Sequence, residues 1–235
     1  MPRRRPGADA HDDGLVGNPY WPLFDLRLTG PHVVLRPCTE VDLPHLAAVV
    51  PADAEPDPRL PRHDIADPHM RRGAAVHQSY WQAWATWSPT AWRLPFVVAL
   101  GDDVVGTGEV EAEDFARRRV VETGSWLVPD VRGRGVGKEL RAALLHLAFT
   151  GLGALVAETA AWHDNGASLG VSRSLGYEPN GETLHVDGDR RDRMVRMRIT
   201  ADAWARRAGE FPTAIAGLDA CRHLFGVAAE VGPPT

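Results

Sequence analysis

Cysteine is scarce: the 235 residues hold two, Cys38 and Cys221, far apart and without a partner motif. That pattern offers neither zinc-ligand spacing nor a disulfide framework, so two buried free thiols and no metal are expected. Long apolar runs are also lacking. None approaches the roughly 20 residues needed to span a bilayer. The residues after the N-terminal arginines, PGADAHDDG, have nothing of a signal-peptide core. Basic surplus is missing as well. A net charge of −5 and a pI of about 6.0 argue against a general binder of nucleic acids or membrane surfaces. The one basic cluster at the start, Arg3–Arg5, reads as a solvated tail. A cytoplasmic protein without nucleic-acid or membrane partners is the expectation. No Gly-x-Ser-x-Gly occurs, so a serine nucleophile elbow is not indicated. No internal repeat is visible.

What is present is an ordinary globular composition, 44% apolar and 24% charged, with enough chain to bury a core. Residues 1–20 are polar and unperiodic. His32–Arg36 reads as a first strand. Thr39 and Asp42 form a weak capping box that opens a helix. The proline-rich stretch 51–68 predicts a loop, and 70–88 a second helix with Tyr80, Trp84 and Trp87 along a core-packing face. Strands are expected over 96–100, 104–111 and 120–128, the first two joined by a turn at Gly101–Asp103. A strong amphipathic helix follows over 138–150, then a strand at 155–160 and a short helix over 165–175 closed by Gly176. Strands near 181–186 and 194–199, with a turn at 187–189, complete the sheet. A helix over 201–208 and a helical tail over 214–229 close the chain. This order predicts an α/β domain with a mixed central sheet of about six or seven strands flanked by helices. The boundaries read as a flexible segment 1–25, one domain over 26–200 and a C-terminal helical extension 201–235 with potential dimer contacts.

The stretch that carries chemistry is Trp126 to Lys138. A strand ends, the glycines Gly133, Gly135 and Gly137 turn the chain, and a helix begins. The first amides of a helix have no internal acceptor, and its dipole makes that end positive. Glycine lets the backbone approach a ligand closely. Arg132, Arg134 and Lys138 add charge, so a phosphate or pyrophosphate is the natural guest. The NTPase phosphate loop fails, because Glu139 follows Gly137-Lys138 and Arg132 stands where its first glycine belongs. The dinucleotide fingerprint fails at Lys138. Arg132-x-x-Gly135-x-Gly137 is the pattern that fits.

This pattern resembles the GCN5-related N-acetyltransferase superfamily, most closely the branch of ribosomal-protein alanine N-acetyltransferases. Glu122-Thr123-Gly124-Ser125-Trp126-Leu127 is similar to the strand before the family's glycine loop. Asn165-x-x-Ser168 and Leu175-Gly176-Tyr177 are similar to its later motifs. Ser125 departs from the tyrosine that branch commonly carries. The resemblance covers roughly residues 30–200 and implies acetyl-CoA as co-substrate, without a metal. It implies that Leu127, Val128, Arg132, Gly133, Arg134, Gly135, Val136, Gly137, Lys138, Asn165 and Ser168 contact CoA. It further implies that a backbone N–H at Leu127 or Val128 polarises the thioester carbonyl, and that Ser168 protonates the leaving thiolate. Tyr177 is expected in the core.

Acyl transfer to an amine also needs a proton acceptor. Glu122, Glu109 and Glu111 are the candidates, with Glu122 ranked first because it precedes the glycine at the strand's expected bend. Strand alternation puts Glu109 and Glu111 on one face. His163 is a further possibility, more simply read as solvated. Asn165 is independently expected as an N-cap. The expected function is direct transfer of acetyl from acetyl-CoA to a primary amine of a small molecule or peptide N-terminus. Alternatives are a transferase of longer acyl groups and a non-catalytic CoA-binding module.

Overall fold

The computed structural model describes residues 18–54, 57, 59–61, 63–187 and 190–227. Most of the unperiodic N-terminal segment, and Gly188–Asp189 of the expected turn, lie outside them. Two short strands come first, β1 (Arg27–Thr29) and β2 (Val33–Pro37), followed by helices α1 (Leu43–Val49) and α2 (Pro68–Ala85). The hairpin β3 (Ala91–Leu100) and β4 (Asp103–Glu113) turns at Gly101–Asp102. The single-turn helix α3 (Phe115–Arg118) leads into β5 (Val120–Leu127), and the glycine loop into α4 (Val136–His146). Then follow β6 (Val156–Trp162), α5 (Gly166–Leu175), β7 (Glu178–Asp187) and β8 (Arg190–Thr200). The end is α6 (Ala201–Ala205), β9 (Ala214–Ala216) and α7 (Leu218–Cys221).

The nine strands form one mixed sheet in the order β7-β8-β6-β5-β4-β3-β2-β1-β9. Among the described residues only β5 and β6 pair in parallel, as the crossover through α4 requires. The sheet exceeds the expected six or seven strands because β1 and β9 each span three residues, too short for alternation to register. A helix over 214–229 is a misreading. Ala214–Ala216 pair with β1, and Gly217 (φ 78°) then starts the short α7.

Local chemistry explains the main helix boundaries. Thr39 and Asp42 do form a reciprocal capping box. The Asp67 side chain caps α2 by accepting from the Met70 N–H at 2.7 Å. Helix α4 starts at Val136, two residues before the expected Lys138, and ends in a wider turn where the Leu152 N–H reaches Leu147 O at 2.8 Å. The 165–175 prediction matches α5, with Asn165 Oδ1 accepting from the Ser168 N–H at 3.0 Å and Gly176 at its end.

Two layers cover the sheet. Leu140 and Leu144 of α4 pack on one face, where a methyl on Gly108 would touch both. On the other face, Leu43 and Leu46 of α1 meet Val97, Tyr80 and Trp126. The aromatic stripe of Tyr80, Trp84 and Trp87 is half-buried and packs against the core: Trp84 and Trp87 stack at 5.7 Å, and Trp87 and the buried Trp92 at 6.0 Å. Phe225 closes on Trp92 edge-to-face at 4.9 Å, so the C-terminal segment as far as Phe225 packs into the core. Trp204 and Cys221 are buried there too. Both cysteines are free, and burial pushes each thiol up to about 12, which leaves them unreactive. Among the described residues no helix is long and apolar enough to cross a membrane. No group of three or more His, Cys, Asp or Glu among them is placed to hold a metal ion.

Candidate active site

Strands β5 and β6 pair over only three residues, Val120–Glu122 against Val156–Glu158. Beyond that point they diverge, and the sheet opens into a fork. The fork continues into a cleft of about 1130 Å³ that runs from the glycine loop to the α1–α2 side.

The direction of the backbone groups in β5 follows from its pairing. Val128 N–H donates to Val105 O of β4 at 2.9 Å, while Leu127 stands opposite Gly106. Backbone groups alternate sides along a strand. The N–H and C=O of Leu127 are therefore turned away from β4, toward the fork. The Leu127 carbonyl accepts from Arg132 Nε at 2.8 Å, which fixes that orientation. Of the two amides expected to serve the thioester, Val128's is engaged within the sheet and Leu127's faces the cleft.

The glycine loop is open. Gly133 and Gly135 adopt φ of 73° and 88°, a region that penalises side chains. A Cβ on either would meet no atom within 4 Å. The first helical amide to find an acceptor is Lys138's, which reaches Gly135 O at 3.0 Å. The amides of Val136 and Gly137 precede it and open toward the loop. These features fit a diphosphate, as do the cationic side chains nearby. Their placement differs from a simple phosphate clamp, however. Arg132 pairs with Asp53 through two bonds of 2.6 and 2.9 Å. Lys138 lies over the Phe211 ring at 4.8 Å. Arg134 is exposed. Asn165 and Ser168 bring the start of α5 to the same cleft. Tyr177 is buried, as expected, with its hydroxyl 3.3 Å from Thr123 Oγ1.

The α1–α2 side supplies acid. Register puts Arg93, Glu111 and Glu122 in one row across β3, β4 and β5, and Pro95, Glu109 and Gly124 in the next. Glu111 is held by Arg59 at 2.8 Å, and Arg59 also grips Asp57 at 2.9 Å. The buried Arg93 pairs with Asp57 and donates to Ser79 O at 2.8 Å. Glu109 is absent from these ion pairs. Burial pushes its carboxyl up to about 7, against the opposing pull of Arg93. Gly124 makes room for it: a Cβ there would come within 2.8 Å of Glu109 Oε1. Glu122 is more exposed, and its carboxyl is raised by burial and then by Glu111. His163 is exposed and contacts Asp192 at 3.3 Å.

One residue of the cleft went unremarked in the sequence. Arg141 of α4 is 4% exposed and reaches across the fork. Its Nη1 donates to Thr159 Oγ1 of β6 at 3.0 Å and its Nη2 to Ser125 Oγ of β5 at 3.3 Å. Helical spacing gives it away only as an arginine on the otherwise apolar face Leu140-Leu144.

The family model for the acetyltransferase (GNAT) domain matches residues 32–178. Among solved structures, Mycobacterium smegmatis RimJ in complex with CoA-disulfide is similar at 22% identity, with a TM-score of 0.65 over 81% of this chain and 97% of that one. RimL, the ribosomal L7/L12 α-N-protein acetyltransferase in complex with coenzyme A, is 16% identical, with a TM-score of 0.58 over 74% and 96%. The spermidine/spermine N-acetyltransferase SpeG from Vibrio cholerae is 16% identical, with a TM-score of 0.56 over 75% and 96%. At these identities the structures speak for the fold, while the family model spans well over half the chain. The chain belongs to the GNAT acetyltransferase family.

Proposed function

We propose that this protein transfers an acyl group, acetyl in the simplest case, from a CoA thioester to a primary amine by direct attack in a ternary complex. The observation that carries this reading is the shared cleft. The open first turn of α4, the inward Leu127 N–H and the Glu109 carboxyl all border it.

In this reading the amides of Gly133 to Gly137 hold the CoA diphosphate, with charge from Arg132, Arg134 and Lys138. The pantetheine arm lies in the fork, beside Asn165 and Ser168. The Leu127 N–H donates to the thioester oxygen as it gains charge, while Val128 keeps the strand in register. The amine enters from the α1–α2 face, where Glu109, Glu111, Glu122 and Asp57 favour a cation. Glu109 is the better proton acceptor of the three glutamates. Its raised carboxyl is matched to work near neutral pH. Glu111 is tied to Arg59, and Glu122 sits toward solvent. The ammonium gives one proton to Glu109, the C–S bond breaks as the C–N bond forms, and the second proton lost from nitrogen reaches the departing thiolate through the Ser168 hydroxyl, which ends unchanged. Small amines and peptide N-termini both fit this chemistry: RimL is a ribosomal L7/L12 α-N-protein acetyltransferase and SpeG a spermidine/spermine N-acetyltransferase. The test is thiol release from acetyl-CoA against a panel of polyamines, aminoglycosides and N-terminal peptides. Turnover on an amine supports the reading. CoA binding with no turnover on any amine or any acyl-CoA overturns it in favour of a binding module.

A further inference from the structure

Arg141 poses a problem that the transfer chemistry leaves unsolved. It is a charged side chain, 4% exposed, and among the described residues it has no carboxylate partner. Its only acceptors are two neutral hydroxyls, and its Nε has no partner. Burying a guanidinium without an anion is costly, and proteins ordinarily supply the counter-charge. Here the rest of the polar cluster is neutral. Thr159 Oγ1 donates to Thr123 O at 2.9 Å, across the point where the strands part. Ser125, by contrast, is exposed to the cleft, so the guanidinium sits directly behind an open position.

The location identifies which substrate would bring the anion. Thr123, Ser125 and Leu127 share the α4 face of β5, opposite the glutamates. The amine arrives on the glutamate face, so an acceptor's carboxylate is badly placed to reach Arg141. The acyl chain is well placed. Ser125 lies two residues deeper into the fork than Leu127, roughly 7 Å at ordinary strand rise. That is the reach of a three- or four-carbon acyl group measured from its thioester oxygen.

Building on the acyltransferase reading above, we infer that the preferred donor is a CoA thioester whose short acyl chain ends in a carboxylate, bound by Arg141 across the fork. Succinyl- and malonyl-CoA are the simplest members of the class. The transfer itself is unchanged and redox-neutral. The thioester C–S bond breaks and the amide C–N bond forms; of the two protons the ammonium loses, one goes to Glu109 and the other ends on the departing thiolate. The distal carboxylate passes intact into the product, which turns a cationic amine into an anionic amide. A charge-assisted, forked contact of this kind discriminates strongly against an uncharged chain.

The experiment is calorimetry and thiol-release kinetics on the full chain with succinyl-, malonyl-, butyryl- and acetyl-CoA. Butyryl-CoA matches the succinyl chain in length without its charge. The expected result is a preference for succinyl- or malonyl- over butyryl-CoA of about tenfold or more. Arg141→Gln should collapse that preference, and Arg141→Lys should retain part of it. Because the wild-type panel decides the matter alone, a poorly folding variant does not rescue the inference. Equal or better use of butyryl- or acetyl-CoA overturns it and leaves the acyltransferase reading standing. Failure of every thioester to bind overturns both.

Discussion

The two walls of the cleft are built in opposite ways. The wall formed by β5, the glycine loop and α4 presents mainly backbone groups to the cleft: the Leu127 amide and the open amides before Lys138. The wall beneath α1 and α2 works through side chains, with Asp57, Arg59, Arg93 and Glu111 knitted into ion pairs around Glu109. A backbone site needs glycines and a helix start at fixed spacing, and tolerates variation elsewhere. A side-chain site needs particular charges brought together from distant positions. The first kind suits a cofactor-like donor shared across a family, and the second an acceptor that differs from member to member.

The largest way to break this division is to put charge into the backbone wall. Gly137→Glu should abolish CoA binding by calorimetry while the protein stays folded. Gly137→Ala should bind and fold, because its methyl would only touch Leu127 and Val171 at 3.6 and 3.8 Å. CoA binding unaffected by the glutamate would move the donor out of the loop. Next in size is the side-chain wall. Glu109→Gln should lower kcat by about 10²–10⁴-fold and leave CoA affinity in place. Glu122→Gln should cost less than about tenfold by the same reasoning. A reversed order in steady-state assays would restore Glu122 as the proton acceptor.

Protonation sharpens the comparison further. The folded Glu109 carboxyl, pushed up to about 7, holds its proton where the unfolded chain has lost it. Stability from this group is therefore eroded as pH rises from about 4.5 through 7. Activity runs the other way, since the base works deprotonated, and kcat/KM should climb through pH 7. Glu109→Gln should accordingly raise the melting temperature at pH 8 and leave it near the wild-type value at pH 4. A mutant that is destabilised at pH 8 would mean that Glu109 is held by a partner rather than stranded. The smallest effect is expected where the two walls touch. Asp53→Ala frees Arg132 from its exposed pair and should change CoA affinity by no more than about fivefold, with steeper salt dependence.

The backbone wall was legible in the sequence because it is local. Arg132-x-x-Gly135-x-Gly137 and Asn165-x-x-Ser168 carry their geometry in their spacing, and the capping box at Thr39–Asp42 is equally local. The side-chain wall was legible only in part. Alternation put Glu109 and Glu111 on one face, but their different fates depend on Arg59, 52 residues away from Glu111. Ranking Glu122 first followed from its place before Gly124. The structure shows that this glycine makes space for Glu109 instead. Arg141 gives no signal in the sequence, since nothing in its neighbours marks the fork above it. Strands β1 and β9 escaped notice because three residues carry no periodicity, and their pairing joins segments at opposite ends of the chain.

The most direct test is amide NMR of the isotope-labelled protein titrated with CoA. Occupation of the fork should move the N–H signals of Leu127, Val136 and Gly137, and leave that of Val128 nearly still because it is already bonded to Val105. Saturable binding that shifts Val128 and spares the other three would contradict the placement of the donor in this cleft.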